Sequence, residues 1–246
     1  MTIISSQNAK LKKIKALRSK KGRDKYGAYI VEGVNILKDL SPKDAKIIEL
    51  YLKQSQYQKL KFLEESLGVQ AYIVADALFD AVSDTKTPSG ALAVAQITES
   101  KEISGNTLIM LCGISDAGNM GTILRTAAAR GVKTALIYGD CVDIYSPKVI
   151  RAAMGASFYV NAVKIDYKEI DNLLRSYDLL GLDACGKSIY DYERNNKKII
   201  IAVGSEAHGL PQSVKERCAE ILSLPMEGKI ESLNAAVSIS IALYML

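Results

Sequence analysis

The run Ser223–Ser240, "SLPMEGKIESLNAAVSIS", sets a polar Glu-Ser-Leu-Asn cluster directly against a stripe of small apolar residues. Part of this is a helix start. A side-chain oxygen of Ser232 or Asn234 can accept one of the first unsatisfied backbone N–H groups, and the Ala-Ala-Val-Ser-Ile-Ser-Ile-Ala-Leu run that follows is apolar enough to bury itself as a helix. Capping does not account for "LPMEG" just upstream, where Pro225 and Gly228 form a loop beside Leu224 and Met226. That pattern predicts two loops converging on one pocket.

Working outward, further apolar runs precede this one: "LIMLCGI", "TALIYG", "YDLLGLDA", "KIIIAVG" and "EILSLP". Helical patterns separate them, such as Met120–Arg130 and Pro147–Ala156. Alternation of this kind predicts a mainly parallel sheet covered on both faces. Ligands of such sheets bind beyond the carboxyl ends of strands. Three of those ends carry glycine with polar residues: "SDAGNMGTILRTA" after the first run, "GSEAHGLP" after "KIIIAV", and "MEGKIESLN" after "EILSLP".

Upstream, "YIVEG", "IIELYL", "QAYIVA" and "ALAVAQ" alternate with helix-like segments as a small α/β unit ending near Gln96. The polar, Ser- and Gly-containing stretch Ile97–Asn106 is the linker candidate, giving domains over 1–97 and 106–246. A chain of 246 residues, 48% apolar, is long enough for two such cores. Its four cysteines, Cys112, Cys141, Cys185 and Cys218, have no C-x-x-C spacing, so neither a zinc site nor a disulfide framework is indicated, and a reducing cytoplasm is expected. No apolar segment reads as a signal or membrane anchor.

Positive charge is local. Residues 1–25 hold nine Lys or Arg against Asp24, a net +8 in a chain of net +5, so the remainder is at −3. Such a run is either a solvated helix face or a surface for a phosphate backbone, and its density and one-sidedness favour the polyanion. Lys12, Lys13, Arg18, Lys20, Lys21 and Arg23 are the candidates for that contact.

Several chemistries lack their parts. The lone His208 excludes an H-E-x-x-H metal site, and there is no G-x-S-x-G elbow, no G-x-x-x-x-G-K-[ST] loop and no G-x-G-x-x-G fingerprint. A loop histidine is more often a surface residue than a catalyst. Glu206 stands between Gly204 and Gly209, which permit a tight turn, and reads either as a helix-capping residue or as a site residue. Gly118-Asn119 delivers Asn119 to a helix start, with Arg125 further along that helix.

Taken together, "DAGNMGTILRTAAARG" (Asp116–Gly131), "SPKVIRAAMGASF" (Ser146–Phe158) and "VGSEAHGLP" with "LPMEGKIESLNAAVSISIALY" resemble, in order, the three motifs of the SpoU-type RNA 2′-O-ribose methyltransferases of the SPOUT class. The resemblance covers Leu108–Leu246, and the opening segment looks like the small substrate-binding domain often fused upstream. It implies an α/β SPOUT fold with a C-terminal deep trefoil knot, S-adenosyl-L-methionine as methyl donor, no metal, and a homodimer whose active site draws on both subunits. By motif position, Gly204, Leu224, Met226 and Leu233 are implied cofactor contacts, and Arg125, Asn119, Glu206, Ser232 and Asn234 the catalytic set. The family commonly has Asn at Ser205, Gly at Ala207 and an acid at His208. Ribosomal RNA is the implied substrate; transfer RNA, or a non-catalytic RNA-binding role on the same fold, are the alternatives.

Overall fold

The computed structural model describes residues 2–98, 102–194, 198–230 and 232–246. It divides into two compact units, Met1–Thr98 with Asp143–Phe158, and Glu99–Val142 with Tyr159–Leu246.

The first unit runs β1 (Thr2–Ile3), α1 (Ala9–Leu17), α2 (Lys20–Tyr26), β2 (Ala28–Glu32), α3 (Val34–Leu37), β3 (Ile47–Lys53), α4 (Tyr57–Leu60), α5 (Phe62–Leu67), β4 (Ala71–Val74), α6 (Asp76–Val82) and β5 (Ala91–Gln96). The strands form one mixed sheet in the order β1-β4-β3-β5-β2. Each residue of β2 is buried because the sheet is covered on both faces, with Tyr29 and Val31 in one core and Ala28 and Ile30 in the other. Helix α1 turns Leu11, Ile14 and Leu17 inward at helical spacing, which leaves Lys12 and Lys15 on the water side.

The charged run is therefore not one surface. Lys12, Lys20 and Lys21 are exposed, and Lys13 is partly covered, with Nζ 3.3 Å from Glu49 Oε1. Arg23 is a correction to its reading as an RNA contact, since its side chain is only 4% exposed. Its Nε and Nη2 donate to Asp143 Oδ2 at 2.9 and 2.6 Å, and Nη1 donates to the carbonyls of Leu17 and Arg18 at 2.9 Å each. Arg18 is also committed to the fold, with Nη2 donating to the carbonyls of Val82 and Ser83 at the end of α6. Both arginines satisfy helix-end carbonyls that would otherwise lack donors.

The second unit begins with β6 (Thr107–Cys112), α7 (Ala117–Ala129) and β7 (Thr134–Tyr138). The chain then enters the first unit over Asp143–Phe158, carrying α8 (Pro147–Ala153), and returns through β8 (Asn161–Ile165), α9 (Tyr167–Leu173), β9 (Tyr177–Ser188), β10 (Lys198–Val203), α10 (Gln212–Lys215), β11 (Glu220–Ser223) and α11 (Ala235–Met245). The excursion is anchored by apolar contact: Ile150 joins the first unit's core, and the Tyr145 and Phe158 rings lie 4.9 and 6.3 Å from Tyr29. Strand β8 was not among the sequence-read runs. Of the candidate linker Ile97–Asn106, Glu99, Ser100 and Lys101 lie outside the described residues, while Ile97 and Ile103 pack into the cores of their own units.

All six strands of this sheet are parallel, in the order β11-β9-β10-β6-β7-β8. From central β6 the chain winds outward through β7 and β8, then restarts on the other side with β9, β10 and β11. The order reverses between β6 and β10, so the loops leaving their carboxyl ends diverge and open a crevice there.

Candidate functional site

A cavity lies beside that crevice, at β9, β10 and β11. Leu182–Ala184 of β9 and Leu222 of β11 line it from the sheet, Val203–Gly209 leaves β10, and the segment after β11 supplies Leu224, Met226, Ser232 and Leu233. All four residues implied as cofactor contacts, Gly204, Leu224, Met226 and Leu233, line it, together with Glu206 and Ser232.

The β10 loop turns sharply. Gly209 N–H donates to the Ser205 carbonyl at 2.8 Å, Ser205 Oγ accepts the His208 N–H at 3.2 Å, and Gly209 has a left-handed φ of 64°. A Cβ on Gly204 would lie 2.0 Å from the Gly209 carbonyl carbon and oxygen, so only glycine lets the two limbs of the turn touch. The departures at Ser205, Ala207 and His208 leave the turn closed.

Two helices start beside it. Asp116 caps α7 by accepting the Asn119 N–H at 2.8 Å, and Asn234 caps α11 by accepting from Ala236 N–H and Val237 N–H at 2.9 and 3.2 Å. Of the two capping candidates, Asn234 holds the position. Its amide nitrogen faces the other way, donating to Asn119 Oδ1 at 2.9 Å and to Glu206 Oε1 in a short contact. Asn119 Nδ2 donates to the same carboxylate oxygen at 3.1 Å. Three residues separated by 87 and 28 positions thus close into a triangle, with the carboxylate near two helix N-termini, where negative charge is favoured.

Arg125 is not in this triangle. It is exposed on α7, six residues past Asn119, hence roughly 9 Å along the helix and about 120° around it. The face of α7 that carries Thr126 and Arg130 packs on α11, with Thr126 Oγ1 2.9 Å from Ser240 Oγ and Arg130 Nε donating to the Leu243 carbonyl at 2.7 Å.

Sequence reasoning missed Asp183. It lines the same cavity as Glu206, and Lys215, 2.6 Å away, together with the Cys185 backbone N–H, holds its carboxyl below the usual range. Its place just past an apolar run, "YDLLGL", was the available signal. Among the described residues, no cluster of three or more His, Cys, Asp or Glu could hold a metal, and no helix is long and apolar enough to cross a membrane.

A doubly wound parallel sheet with its cavity at β9, β10 and β11, walled by apolar side chains and rimmed by a carboxylate–amide triangle, defines an α/β enzyme that binds a small cofactor. The chain belongs to the SpoU rRNA Methylase family, whose model matches residues 106–244; residues 8–93 match the MRM3-like substrate binding domain. It is 27% identical to the 23S rRNA (guanosine(2553)-2′-O)-methyltransferase RlmP of Bacillus subtilis over 99% of this chain and 98% of that protein. With the 23S rRNA (guanosine-2′-O-)-methyltransferase RlmB of Coxiella burnetii it shares 28% identity, over 89% of this chain and 92% of the other. Its fold matches the AdoMet-bound rRNA methyltransferase of Sinorhizobium meliloti with a TM-score of 0.87 at 23% identity, covering 100% of this chain and 96% of that one.

Proposed function

We propose that this protein methylates a ribose 2′-hydroxyl of ribosomal RNA with S-adenosyl-L-methionine as donor. The observation that carries the proposal is the Asn119–Glu206–Asn234 triangle at the mouth of a cavity lined by β9, β11 and the segments that follow β10 and β11. The cavity suits the donor chemically. Leu182, Leu222, Leu224 and Leu233 supply apolar wall for an adenine ring, Gly204 leaves backbone accessible, and the carboxylates of Asp183 and Glu206 complement a molecule bearing an ammonium and a sulfonium. When bound, S-adenosylmethionine supplies the electrophilic methyl.

The protein's own task is alignment and charge. Asn119 and Asn234 fix the Glu206 carboxylate, and Ser232 adds a hydroxyl beside it, so that the incoming ribose meets oriented groups rather than mobile water. Arg125 carries a guanidinium, which has hydrogen-bond donors and no acceptor and so cannot serve as a base; its role is to clamp the adjacent phosphate and the developing alkoxide. Because Arg125 lies away from the triangle within one chain, it acts across a homodimer, in the site of the second copy. Val237, Ile241, Tyr244 and Met245, each 37–64% exposed on α11, are the apolar surface for that second copy, and the chain after β11 threads the family's trefoil knot.

Residues 1–97 serve as the RNA-binding domain through Lys12, Lys20 and Lys21, residues 106–246 carry the chemistry, and the protein works in the cytoplasm. Calorimetry with S-adenosylmethionine, followed by mapping of ribose methylation on unmodified ribosomal RNA, tests the proposal. No donor binding, or methyl found on base atoms, would sink it. A monomer by sedimentation at micromolar concentration would sink the shared site.

A further inference from the structure

The charged run of the first unit borders an open aromatic ring. Tyr26 ends α2 and is 42% exposed, the only exposed tyrosine among the described residues of that unit. The others are committed to the fold: Tyr29 packs on Tyr145 and Phe158, Tyr51 on Tyr72, and Tyr57 Oη donates to Glu64 Oε2 at 3.2 Å. No ring stacks on Tyr26 among the described residues. The backbone beside it is equally open, since a Cβ built on Gly27, the left-handed cap of α2, would meet nothing within 4 Å.

What surrounds the ring is positive. Lys13 Nζ and Lys25 Nζ lie 5.8 and 5.3 Å from its centroid. Both are near the outer limit of a cation–π contact, about 6 Å, so neither holds a face against a flat ligand. Lys13 is also positioned from the other side. Glu49 Oε1 accepts from Lys13 Nζ at 3.3 Å and from Lys10 Nζ at 3.2 Å, and Glu49 Oε2 accepts from the buried Tyr51 Oη at 2.6 Å. One carboxylate anchored in the sheet therefore fixes a cation beside Tyr26 before any ligand arrives. Exposed Lys20 and Lys21, on the same helix as Tyr26, extend the positive surface. An aromatic face set among cations fits a nucleotide, whose base is a flat π-surface and whose phosphates are negative. An apolar protein surface would bury these ammonium groups without counter-charge.

We propose that Tyr26 is a stacking platform for one unpaired base of the RNA substrate, with Lys13 and Lys25 meeting the phosphates that flank it. The inference rests on the methyltransferase reading above and adds the form of RNA that the first unit takes. That form is single-stranded, because a base inside a duplex has both faces covered by its neighbours and must leave the stack to meet a side chain. Every base has a π-face, so the platform selects unpaired RNA without choosing its sequence.

The test measures binding of the full chain, by fluorescence anisotropy, to a labelled uridine dodecamer and to an abasic ribose-phosphate dodecamer of the same charge. The wild type should prefer the uridine strand about tenfold. Tyr26→Ala should lose about tenfold on the uridine strand, bind the abasic strand as the wild type does, and keep the slope of log K against log salt. Tyr26→Phe should match the wild type, since the ring and not the hydroxyl is used. Lys25→Ala should lower the slope by about 0.7 on both strands. Thermal unfolding should be nearly unchanged in all three, which shows that they fold. Equal wild-type affinity for the two strands, wild-type affinity of Tyr26→Ala for the uridine strand, or an equal loss on both strands would overturn the platform. The two readings fail separately: base-dependent binding through Tyr26 by a chain that methylates no RNA keeps the platform and sinks the methyltransferase, and methylation by a chain whose Tyr26→Ala variant binds as the wild type does the reverse.

Discussion

Asn234 is asked to do two things, and one pair of substitutions separates them. Its side-chain oxygen caps α11 through the N–H groups of Ala236 and Val237, and its nitrogen bridges Asn119 and Glu206. Asn234→Ala removes both. Loss of an N-cap is worth about 1 kcal/mol, and the bridging contacts are on the solvent side, so they add little to stability. For a chain of this size, 1 kcal/mol lowers Tm by roughly 2–4 °C. Asn234→Ser keeps an oxygen that can cap but has no nitrogen to donate, so its Tm should return to within about 1 °C of wild type. Catalysis should not return with it. A carboxylate left free to rotate loses its alignment with the ribose, and both variants should lose roughly 10²-fold in single-turnover methyl transfer at saturating RNA and donor. Differential scanning fluorimetry and quenched-flow methylation read the two effects separately. If Asn234→Ser recovered the wild-type rate together with its Tm, the triangle would be scaffolding and the proposed alignment role would be wrong.

Arg23→Ala should destabilise the protein by roughly 3 kcal/mol in urea unfolding, because Asp143 and two carbonyls lose a buried partner, whereas the combined replacement of Lys12, Lys20 and Lys21 by Ala should leave stability nearly unchanged and flatten the salt dependence of RNA binding. Gly204→Ala should abolish donor binding measured by calorimetry, since the methyl would sit 2.0 Å from the Gly209 backbone. Asp183 has a lowered folded pKa, so its contribution to stability is present above the unfolded value of about 3.9 and is lost as pH falls through the lower folded value; the Tm gap between wild type and Asp183→Asn should therefore close on acidification. A maleimide at pH 8 should label exposed Cys185 first and spare Cys112, whose thiol burial pushes up to about 12; rapid loss of Cys112 by mass spectrometry would contradict this.

Short-range pattern was enough for most elements. "KIIIAV" and "LIMLC" are continuous apolar runs because β10 and β6 are covered on both faces, and the helix after Asn234 is legible because a cap and an apolar run are both local signals. Strand β8, "NAVKI", escaped because it lies at the sheet edge, with two partly buried residues and exposed Lys164 diluting its pattern. The motif order carried the family and the pocket loops, since those depend on which residues follow each strand.

The sequence by itself thus determined most of the strands, the parallel sheet, the glycine-rich strand ends and the density of charge near the amino terminus. Tertiary structure alone decided which of those charges are free, that Asp143–Phe158 belongs to the first unit's core, and that Asn119, Glu206 and Asn234 share one hydrogen-bonded corner. The physical reason is range. Periodicity, caps and turns are set by neighbours within a few positions, whereas the burial of Arg23 depends on a carboxylate 120 residues away and the site triangle on a sheet whose order reverses between β6 and β10.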